Sequence, residues 1–234
     1  MNKIILVIIN LFFIIASPSY SQTANWSPVA PDFFPTNVSG QIHGISRISQ
    51  LKFHPTNSQK FYAISARGGL FISINAGNTW TIAPGCDLMP GMRLASVCID
   101  HTNDQILYLG TGDHNYYYSG SGVYKSTNGG ATFTLLNGGL PTNKLVVEII
   151  MHPTDPATLV AATNGGIYKT INAGVTWTLQ SASNLQFADM KSAASANSLI
   201  LFASTTETSS ELYRSTDFGS TWAAITSGIP TPPQ

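Results

Sequence analysis

The sequence predicts an all-β protein, a β-propeller of four-stranded antiparallel blades. An eight-residue pattern begins at residues 73, 126, 170 and 215, so that successive copies are 53, 44 and 45 residues apart, close to the length of one blade. Between the copies lie short runs of β-branched and aromatic residues, such as Phe61–Ser65. No segment keeps the 3.6-residue apolar period of a long helix.

Each repeat divides into four predicted strands, which we call A to D in chain order. In the first repeat these are Ser49–Phe53, Phe61–Ser65, Gly69–Ser73 and Thr79–Ala83. A turn landmark follows strand A. It is read as Phe53-His54-Pro55-Thr56-Asn57, then Asp100-His101-Thr102-Asn103-Asp104, then Met151-His152-Pro153-Thr154-Asp155, with a decayed fourth copy at Ala193–Asn197.

The eight-residue pattern predicts the turn between strands C and D. Its third residue is Asx, whose side chain accepts backbone N–H groups in turns. Its fifth residue is glycine, which permits a positive φ, and its eighth is aromatic and is expected to pack between blades. The residues at these positions are Asn75, Gly77 and Trp80; Asn128, Gly130 and Phe133; Asn172, Gly174 and Trp177; and Asp217, Gly219 and Trp222.

The pattern Ser/Thr-x-Asp/Asn-x-Gly-x-Thr-Trp/Phe resembles the Asp-box, or bacterial neuraminidase (BNR), repeat, and the resemblance covers about residues 45–226. It implies blades near 45–84, 92–137, 144–181 and 188–226. It does not specify an activity, because Asp-box propellers occur in sialidases, xyloglucanases, sortilin-type receptors and assembly factors.

The amino terminus predicts export. A basic start, the apolar run Ile4–Ala16 and the small residues around Ser21 fit a signal peptide over residues 1–21, with an uncleaved anchor as the alternative. We therefore expect a secreted or cell-surface protein with no membrane span after cleavage, since no later segment is apolar enough to cross a bilayer.

Residues 22–44 form an N-terminal segment in which Asn25–Pro31, with Trp26, resembles strand D of the first repeat, so we expect an orphan outer strand there. The Asp-box blades occupy 45–226, and a Pro-rich tail occupies 227–234. The four repeats are either part of a longer propeller or a small closed ring. Because Asp-box rings typically have more than four blades, an incomplete arc is favoured.

The composition excludes some partners. Lys and Arg total 11 and Asp and Glu total 11, so nothing attracts the chain to nucleic acid or to an anionic membrane. No cofactor is implied, and the oligomeric state is left open. Cys86 and Cys98 either form a disulfide, as export would allow, or are two buried thiols.

The landmark histidines His54, His101 and His152 are predicted to be turn residues in three separate blades, too far apart to bind a metal together. In a propeller the A–B and C–D turns share one face, and the B–C loops and D–A connections share the other, at the mouth of the channel. We expect any binding site on the second face.

The second repeat has a longer B–C loop, Thr111–Gly122, on the expected site face. Aromatic rings stack on sugars and carboxylates accept hydroxyl hydrogen bonds, so this loop is the ligand-binding candidate; the alternative is a surface hairpin. Its candidate residues are Asp113, His114, Tyr116, Tyr117 and Tyr118. Arg47, Arg93 and Lys144 recur where strand A begins. They either ring the channel mouth, where they would favour an anionic group, or are ordinary surface cations, which is the favoured interpretation.

A sialidase resemblance would imply an arginine triad and an Arg-Ile-Pro motif. Sialidase activity is not expected, because the chain lacks that motif and has only four arginines. The stretch Ser39–Gly69 looks like the first blade of the family-74 glycoside hydrolases, the xyloglucanases. Their catalytic segment aligns with Tyr62–Gly69, and its catalytic Asp falls on Ala66. Alanine cannot transfer a proton, and no motif joins two of the remaining carboxyl candidates. These are Asp87, Asp113, Glu148 and Asp189.

Two functions therefore remain from the sequence. The favoured one is a non-catalytic binding module for a polysaccharide or a cell-surface protein. The alternative is a fragment or relative of a xyloglucanase-like glycosidase, which needs two carboxyl groups flanking the scissile bond.

Overall fold

The described residues form four sheets of four antiparallel strands, as the sequence predicts. The computed structural model describes residues 47–89, 93–113, 119–181, 185–193, 199–206 and 211–228. Each sheet follows chain order, so each is an up-and-down blade, and we number the blades 1 to 4.

The strands of blade 1 are β1 (Ile48–Phe53), β2 (Phe61–Ser65), β3 (Gly69–Ser73) and β4 (Thr81–Ile82), followed by a 3-10 helix at Pro84–Leu88. Blade 2 has β5 (Leu94–Ile99), β6 (Leu107–Thr111), β7 (Val123–Ser126) and β8 (Thr134–Leu135). Blade 3 has β9 (Val146–Met151), β10 (Leu159–Thr163), β11 (Gly166–Thr170) and β12 (Thr178–Leu179). Blade 4 has β13 (Phe187–Ser192), β14 (Leu201–Thr205), β15 (Leu212–Ser215) and β16 (Ala223–Ala224).

The D strands are shorter than the sequence predicts. Strand β4 has two residues, Thr81 and Ile82, rather than the five expected from Thr79 to Ala83, because the hydrogen bonds of the Asp-box turn hold Thr79 outside the strand.

Blades pack face to face in chain order. Strand β5 lies against β1 and β2, β9 against β5 and β6, and β13 against β9 and β10. A buried apolar cluster fills each junction: Tyr62 and Ile64 of blade 1 join Val97 and Leu109 of blade 2 in the first of these. The A strands β1, β5, β9 and β13 are therefore innermost, and their side chains reach the channel.

Every innermost strand carries a β-bulge at the same repeat position. The pairing shifts between Ile48 and Gln50, and the equivalent shift occurs in β5, β9 and β13. A bulge turns the strand and re-aims the neighbouring side chains. The residues at the bulge position are Ser49, Ala95, Val147 and Ala188.

The A–B turns show that the predicted alignment of the turn landmark is wrong by one residue in blade 2. His54 Nδ1 accepts hydrogen bonds from the backbone of Thr56 (3.2 Å) and Asn57 (3.0 Å). In blade 2 the same cap is made by Asp100 Oδ1, which accepts from the N–H groups of Thr102 and Asn103. Asp100, not His101, is thus equivalent to His54, because a carboxylate and a neutral imidazole both offer an acceptor at the start of this turn.

Both cysteines are buried free thiols, so the structure contains the second of the two alternatives rather than a disulfide. Burial raises the pKa of Cys86 and of Cys98 to about 12, which keeps both thiols protonated.

Within the ranges given above, no helix has the length and apolar character needed to cross a membrane.

Candidate functional site

A cavity of about 410 Å³ opens where the four innermost strands begin, and we call it the mouth cavity. All four blades contribute to it, together with the B–C loop of blade 2. Its lining residues are Arg47, Ile48, Ser49, Gln50, Leu94, Ala95, Asp113, Val147, Glu148, Ala188, Asp189 and Lys191. The bulge residues are all small or β-branched, and this keeps the cavity open.

Glu148 of β9 lies at the base of the mouth cavity, and only 2% of its side chain is exposed. Its carboxylate accepts hydrogen bonds from Gln50 Nε2 (2.7 Å) and Lys52 Nζ (2.7 Å) of blade 1. It also accepts from Lys191 Nζ (3.0 Å) of blade 4. A buried charge is costly unless it is paired and hydrogen-bonded, and these three donors satisfy that requirement.

The contacts around Glu148 divide the channel. A second cavity of about 210 Å³ lies toward the A–B turns, and Glu148 and Lys191 line both cavities. Gln50 also ties blade 2 into this layer, because its Oε1 accepts from the N–H of Val97 (2.8 Å). A layer of polar side chains therefore lies beneath the mouth cavity, and we call it the floor. It consists of Gln50, Lys52, Glu148 and Lys191.

A second ion pair lies at the rim. Arg47 Nη2 is 2.8 Å from Asp113 Oδ1, joining the start of blade 1 to the B–C loop of blade 2. Asp113 is buried and Arg47 is partly exposed, so the charge of the arginine offsets part of the cost of burying the carboxylate.

Lys191 couples the floor to the rim. Its Nζ donates to Asp189 Oδ1 (2.6 Å) as well as to Glu148. Burial alone would lower the pKa of Lys191, but the hydrogen bond to Asp189 and the attraction of Glu148 outweigh it, and the pKa is raised. Lys191 therefore stays charged at neutral pH.

The structure brings together some of the predicted site residues. Asp113 and Arg47 meet in the mouth cavity. Arg93 is not among its described lining residues; its carbonyl accepts from the N–H of Gly112 (2.7 Å) at the base of the B–C loop. Lys144 packs along Gly165. His114, Tyr116, Tyr117 and Tyr118 lie outside the described residues.

Of the candidate carboxyl groups, Asp113, Glu148 and Asp189 converge on one cavity. Asp87 belongs to the 3-10 helix after blade 1 and does not line it. Ala66, where the xyloglucanase resemblance would require an acid, is buried, and its N–H donates to the carbonyl of Arg47 (3.3 Å).

Sequence reasoning missed Gln50, Lys52 and Lys191. The sequence did contain a signal for part of the floor. One repeat position is polar in all four A strands, which are otherwise mainly apolar, and it is occupied by Gln50, Ser96, Glu148 and Asp189. Aligning the A strands on their bulges would have placed these polar side chains at one level of the channel.

The opposite face carries the Asp boxes, and we call it the box face. In the first box, Asn75 Oδ1 accepts from the N–H of Thr79 (2.9 Å), and Ser73 Oγ accepts from the N–H of Gly77 (2.9 Å). The same two bonds recur in the other three boxes. The box glycines Gly77, Gly130, Gly174 and Gly219 have φ between 77° and 90°.

Three of the four box aromatics pack at junctions between described blades. Trp177 is buried in the cluster with Tyr108 and Val123 of the preceding blade, and Trp222 packs on the cluster that contains Val160. Phe133 packs against the junction of blades 1 and 2. Trp80 joins Ala63 and Phe71 on the other face of blade 1.

The landmark turns are closer together than the sequence suggests. His54 and His101 line one groove of about 370 Å³ on the box face, because adjacent blades bring their A–B turns side by side. His54 Nε2 lies 4.0 Å from Asp104 Oδ2. Even so, no group of three His, Cys, Asp or Glu side chains that could hold a metal ion occurs in the part of the chain that the structure describes.

Comparison with known proteins gives the same architecture. The family model described as sortilin, neurotensin receptor 3, matches residues 121–231. No curated protein sequence matches significantly.

Solved structures extend the likeness to about three quarters of the chain. A glycoside hydrolase family 74 enzyme from Niastella koreensis is 25% identical, with a TM-score of 0.59, over 74% of this chain and 28% of that chain. An ancestral family 74 enzyme is 20% identical, with a TM-score of 0.62, over 79% of this chain and 26% of that chain. An auxiliary nutrient binding protein from Bacteroides thetaiotaomicron is 15% identical, with a TM-score of 0.53, over 78% of this chain and 42% of that chain.

The chain spans about a quarter of the length of the two family 74 enzymes, which indicates an incomplete propeller. With four Asp boxes, four four-stranded blades and these likenesses, the chain is an Asp-box (BNR-repeat) β-propeller that resembles sortilin and the family 74 propellers.

Proposed function

We propose that this chain is the binding part of an exported β-propeller protein, and that it takes a polysaccharide segment into the mouth cavity without cleaving it. The observation that carries the proposal is the cavity itself, where innermost strands of all four blades present buried and half-buried polar groups around one opening. Ligand sites are concave and combine apolar walls with a few convergent polar groups.

The lining suits a sugar. Leu94, Ala95, Val147 and Ala188 offer small aliphatic surface for C–H groups. Gln50, Asp113 and Asp189 offer hydrogen-bonding atoms for hydroxyl groups. The likeness to the auxiliary nutrient binding protein and to the family 74 enzymes supports a role in recognising nutrients or glycans.

A blocking variant tests the site. Ala188→Phe places a ring in the mouth cavity at a half-buried bulge position and alters no charge. We expect titration calorimetry with xyloglucan and cellulose oligosaccharides to show binding by the native chain and a loss of at least about tenfold in the variant. The matched control is Ala131→Phe, at an exposed position in the second Asp box on the box face, which should bind like the native chain.

The second candidate is glycoside hydrolysis, favoured by two observations: three carboxyl groups share the mouth cavity, and a family 74 enzyme is 25% identical. A glycosidase needs one protonated carboxyl and one carboxylate at the scissile bond. In this cavity Asp113 accepts a hydrogen bond from Arg47, and Glu148 and Asp189 each accept one from Lys191. Release of reducing ends from xyloglucan by the native chain, abolished in Glu148→Gln, would replace the binding proposal with the enzymatic one.

A further inference from the structure

The two end blades present opposite halves of one repeated interface. We call the side of a blade that packs against the next blade in the chain its leading face, and the other side its trailing face. At each of the three junctions described above, a leading face covers the trailing face of the next blade. Among the described residues, no blade covers the trailing face of blade 1 or the leading face of blade 4.

The trailing face of blade 1 is apolar and exposed at its inner edge. Leu51 and Phe53 of β1 are 49% and 63% exposed. The residues at the same two repeat positions of β5 are Val97 and Ile99. These are 0% and 7% exposed, because they pack in the cluster between blades 1 and 2. The trailing face of blade 1 therefore has the side chains of a blade junction without a described partner.

The leading face of blade 4 repeats the pattern of the blade before it. In blade 3, Val160 pairs across the strands with Lys169, and Val160 is buried at the junction with blade 4. The equivalent pair in blade 4 is Phe202 with Arg214. Phe202 is half-buried and Arg214 is exposed. An apolar residue and a cation thus lie at the positions that would meet a further trailing face.

The cation of this pair reaches the Asp box of the next blade at two described junctions. Lys125 Nζ donates to the carbonyl of Ala173 in the box of blade 3 (3.5 Å), and Lys169 makes the corresponding bond to the box of blade 4. Ala76 is the residue of the first box that corresponds to Ala173, and their φ angles are 57° and 56°. The box of blade 1 therefore offers Arg214 the same kind of acceptor.

From these two faces we infer that a second copy of the chain docks head to tail, with blade 4 of each copy against blade 1 of the other. Phe202 then packs on Leu51, as Val160 packs with Met190 in the cluster between blades 3 and 4. A second copy fits because the chain carries both halves of the interface, and two interfaces of this head-to-tail kind can close a ring.

Such a ring has eight blades, which is within the usual range for propellers. Both end blades line the mouth cavity, blade 1 through Arg47 and blade 4 through Asp189, so the second copy would complete the wall of that cavity. The inference goes beyond the proposed function and does not depend on it, because the docking faces are judged by association of the chain with itself and not by ligand binding.

Analytical ultracentrifugation of the full chain between about 1 µM and about 200 µM tests the docking. We expect the mass to rise from one copy to two over this range. The association is weak because Ser204 and Arg214 make the leading face of blade 4 polar and because joining two molecules costs translational and rotational freedom. A single copy, with Leu51 exposed, therefore predominates near 1 µM.

Two variants each disable one face. Leu51→Asp places a charge on the trailing face of blade 1, and Arg214→Glu reverses the charge on the leading face of blade 4. Each should raise the dissociation constant at least about tenfold. Ile171→Asp is the matched control, because Ile171 is 74% exposed in blade 3, where blades 2 and 4 cover both faces, and it should associate like the native chain.

Mixing the two variants tests the head-to-tail geometry. Leu51→Asp keeps a native blade 4 and Arg214→Glu keeps a native blade 1, so one copy of each can form one native junction. We expect the equimolar mixture to recover dimers that neither variant forms alone at the same concentration. No recovery would contradict head-to-tail docking.

Three other results would overturn the inference. The native chain could stay a single copy at about 200 µM, where the docking predicts two. Leu51→Asp could dimerise as well as the control Ile171→Asp, which would mean that the contact lies elsewhere. Species that grow beyond two copies would show that the copies join without closing the ring.

Discussion

The third residue of each Asp box holds its turn through one side-chain oxygen, and only blade 4 uses a charged one. Burial alone would raise the pKa of Asp217, but hydrogen bonds from Thr221, Ser215 and Ser220 outweigh it and hold the pKa at about 2. Because the folded state lowers this pKa, the stabilisation is complete above the unfolded value of 3.8 and is lost as the pH falls toward 2.

We therefore expect Asp217→Asn, which copies the other three boxes, to lose less stability than the native chain when the pH falls from about 4 to about 2. The difference should be on the order of 1–2 kcal/mol after allowance for solvent screening. Urea unfolding at the two pH values measures it. Equal losses in the two proteins would show that Asp217 is not the group that titrates.

The imidazole of His54 caps its turn only in the neutral form, because Nδ1 must accept from two backbone N–H groups. Burial lowers the pKa of His54. The negative charge of Asp104 raises it by less, and the positive charge of Lys60 lowers it further. The folded pKa lies below 6.5, so the stabilisation is complete above pH 6.5 and is lost as the pH falls through the lowered folded value.

His54→Asn keeps a side-chain acceptor and removes the titration. We expect it to lie within about 1 kcal/mol of the native stability at pH 7.5 and to lose less than the native chain on going to pH 5. Thermal unfolding at both pH values is the measurement. His101→Asn is the control, since Asp100 makes the equivalent cap in blade 2, and it should show the native pH dependence. A native-like loss in His54→Asn would contradict the prediction.

Each innermost strand packs one row of side chains against the preceding blade, and blade 1 has no described blade before it. Leu51 of β1 is 49% exposed, whereas Ile149, at the same repeat position in β9, is 1% exposed. Truncation costs free energy in proportion to the contacts that it removes. We expect Leu51→Ala to cost less than about 1 kcal/mol and Ile149→Ala about 2–4 kcal/mol in urea unfolding. Similar costs would mean that an equivalent layer covers Leu51 in solution.

The two faces of the propeller differ in how far the sequence could predict them. The Asp boxes could be read directly, because their bonds join residues four positions apart, as from Asn75 to Thr79. The floor of the mouth cavity could not, because Lys52 and Glu148 are 96 residues apart and meet only after blades 1 to 3 have packed. The A–B landmark was misaligned by one residue in blade 2, because His54 and Asp100 perform the same cap with different chemistry.

Among the residues that the structure describes, the packing of the four blades follows the pattern of a repeat array. In such arrays each repeat contacts only its neighbours, and stability is close to a sum of local terms. Here the packing between sheets follows that order, from β1 to β5, β9 and β13. Glu148 departs from it, because it accepts from Gln50 and Lys52 of blade 1, two blades away, and from Lys191 of blade 4.

Glu148 should therefore contribute to the cooperativity of unfolding as well as to stability. Glu148→Ala removes the shared acceptor, while the partly exposed lysines can still reach water, so we expect a cost of about 1–3 kcal/mol. Because the hydrogen bonds that Gln50 and Lys52 of blade 1 make to blade 3 are then lost, the urea transition should broaden and its m-value should fall. Glu211→Ala, which removes the acceptor of Tyr213 Oη within blade 4, is the control and should keep the native m-value. A native m-value in Glu148→Ala would mean that nearest-neighbour packing alone couples the blades.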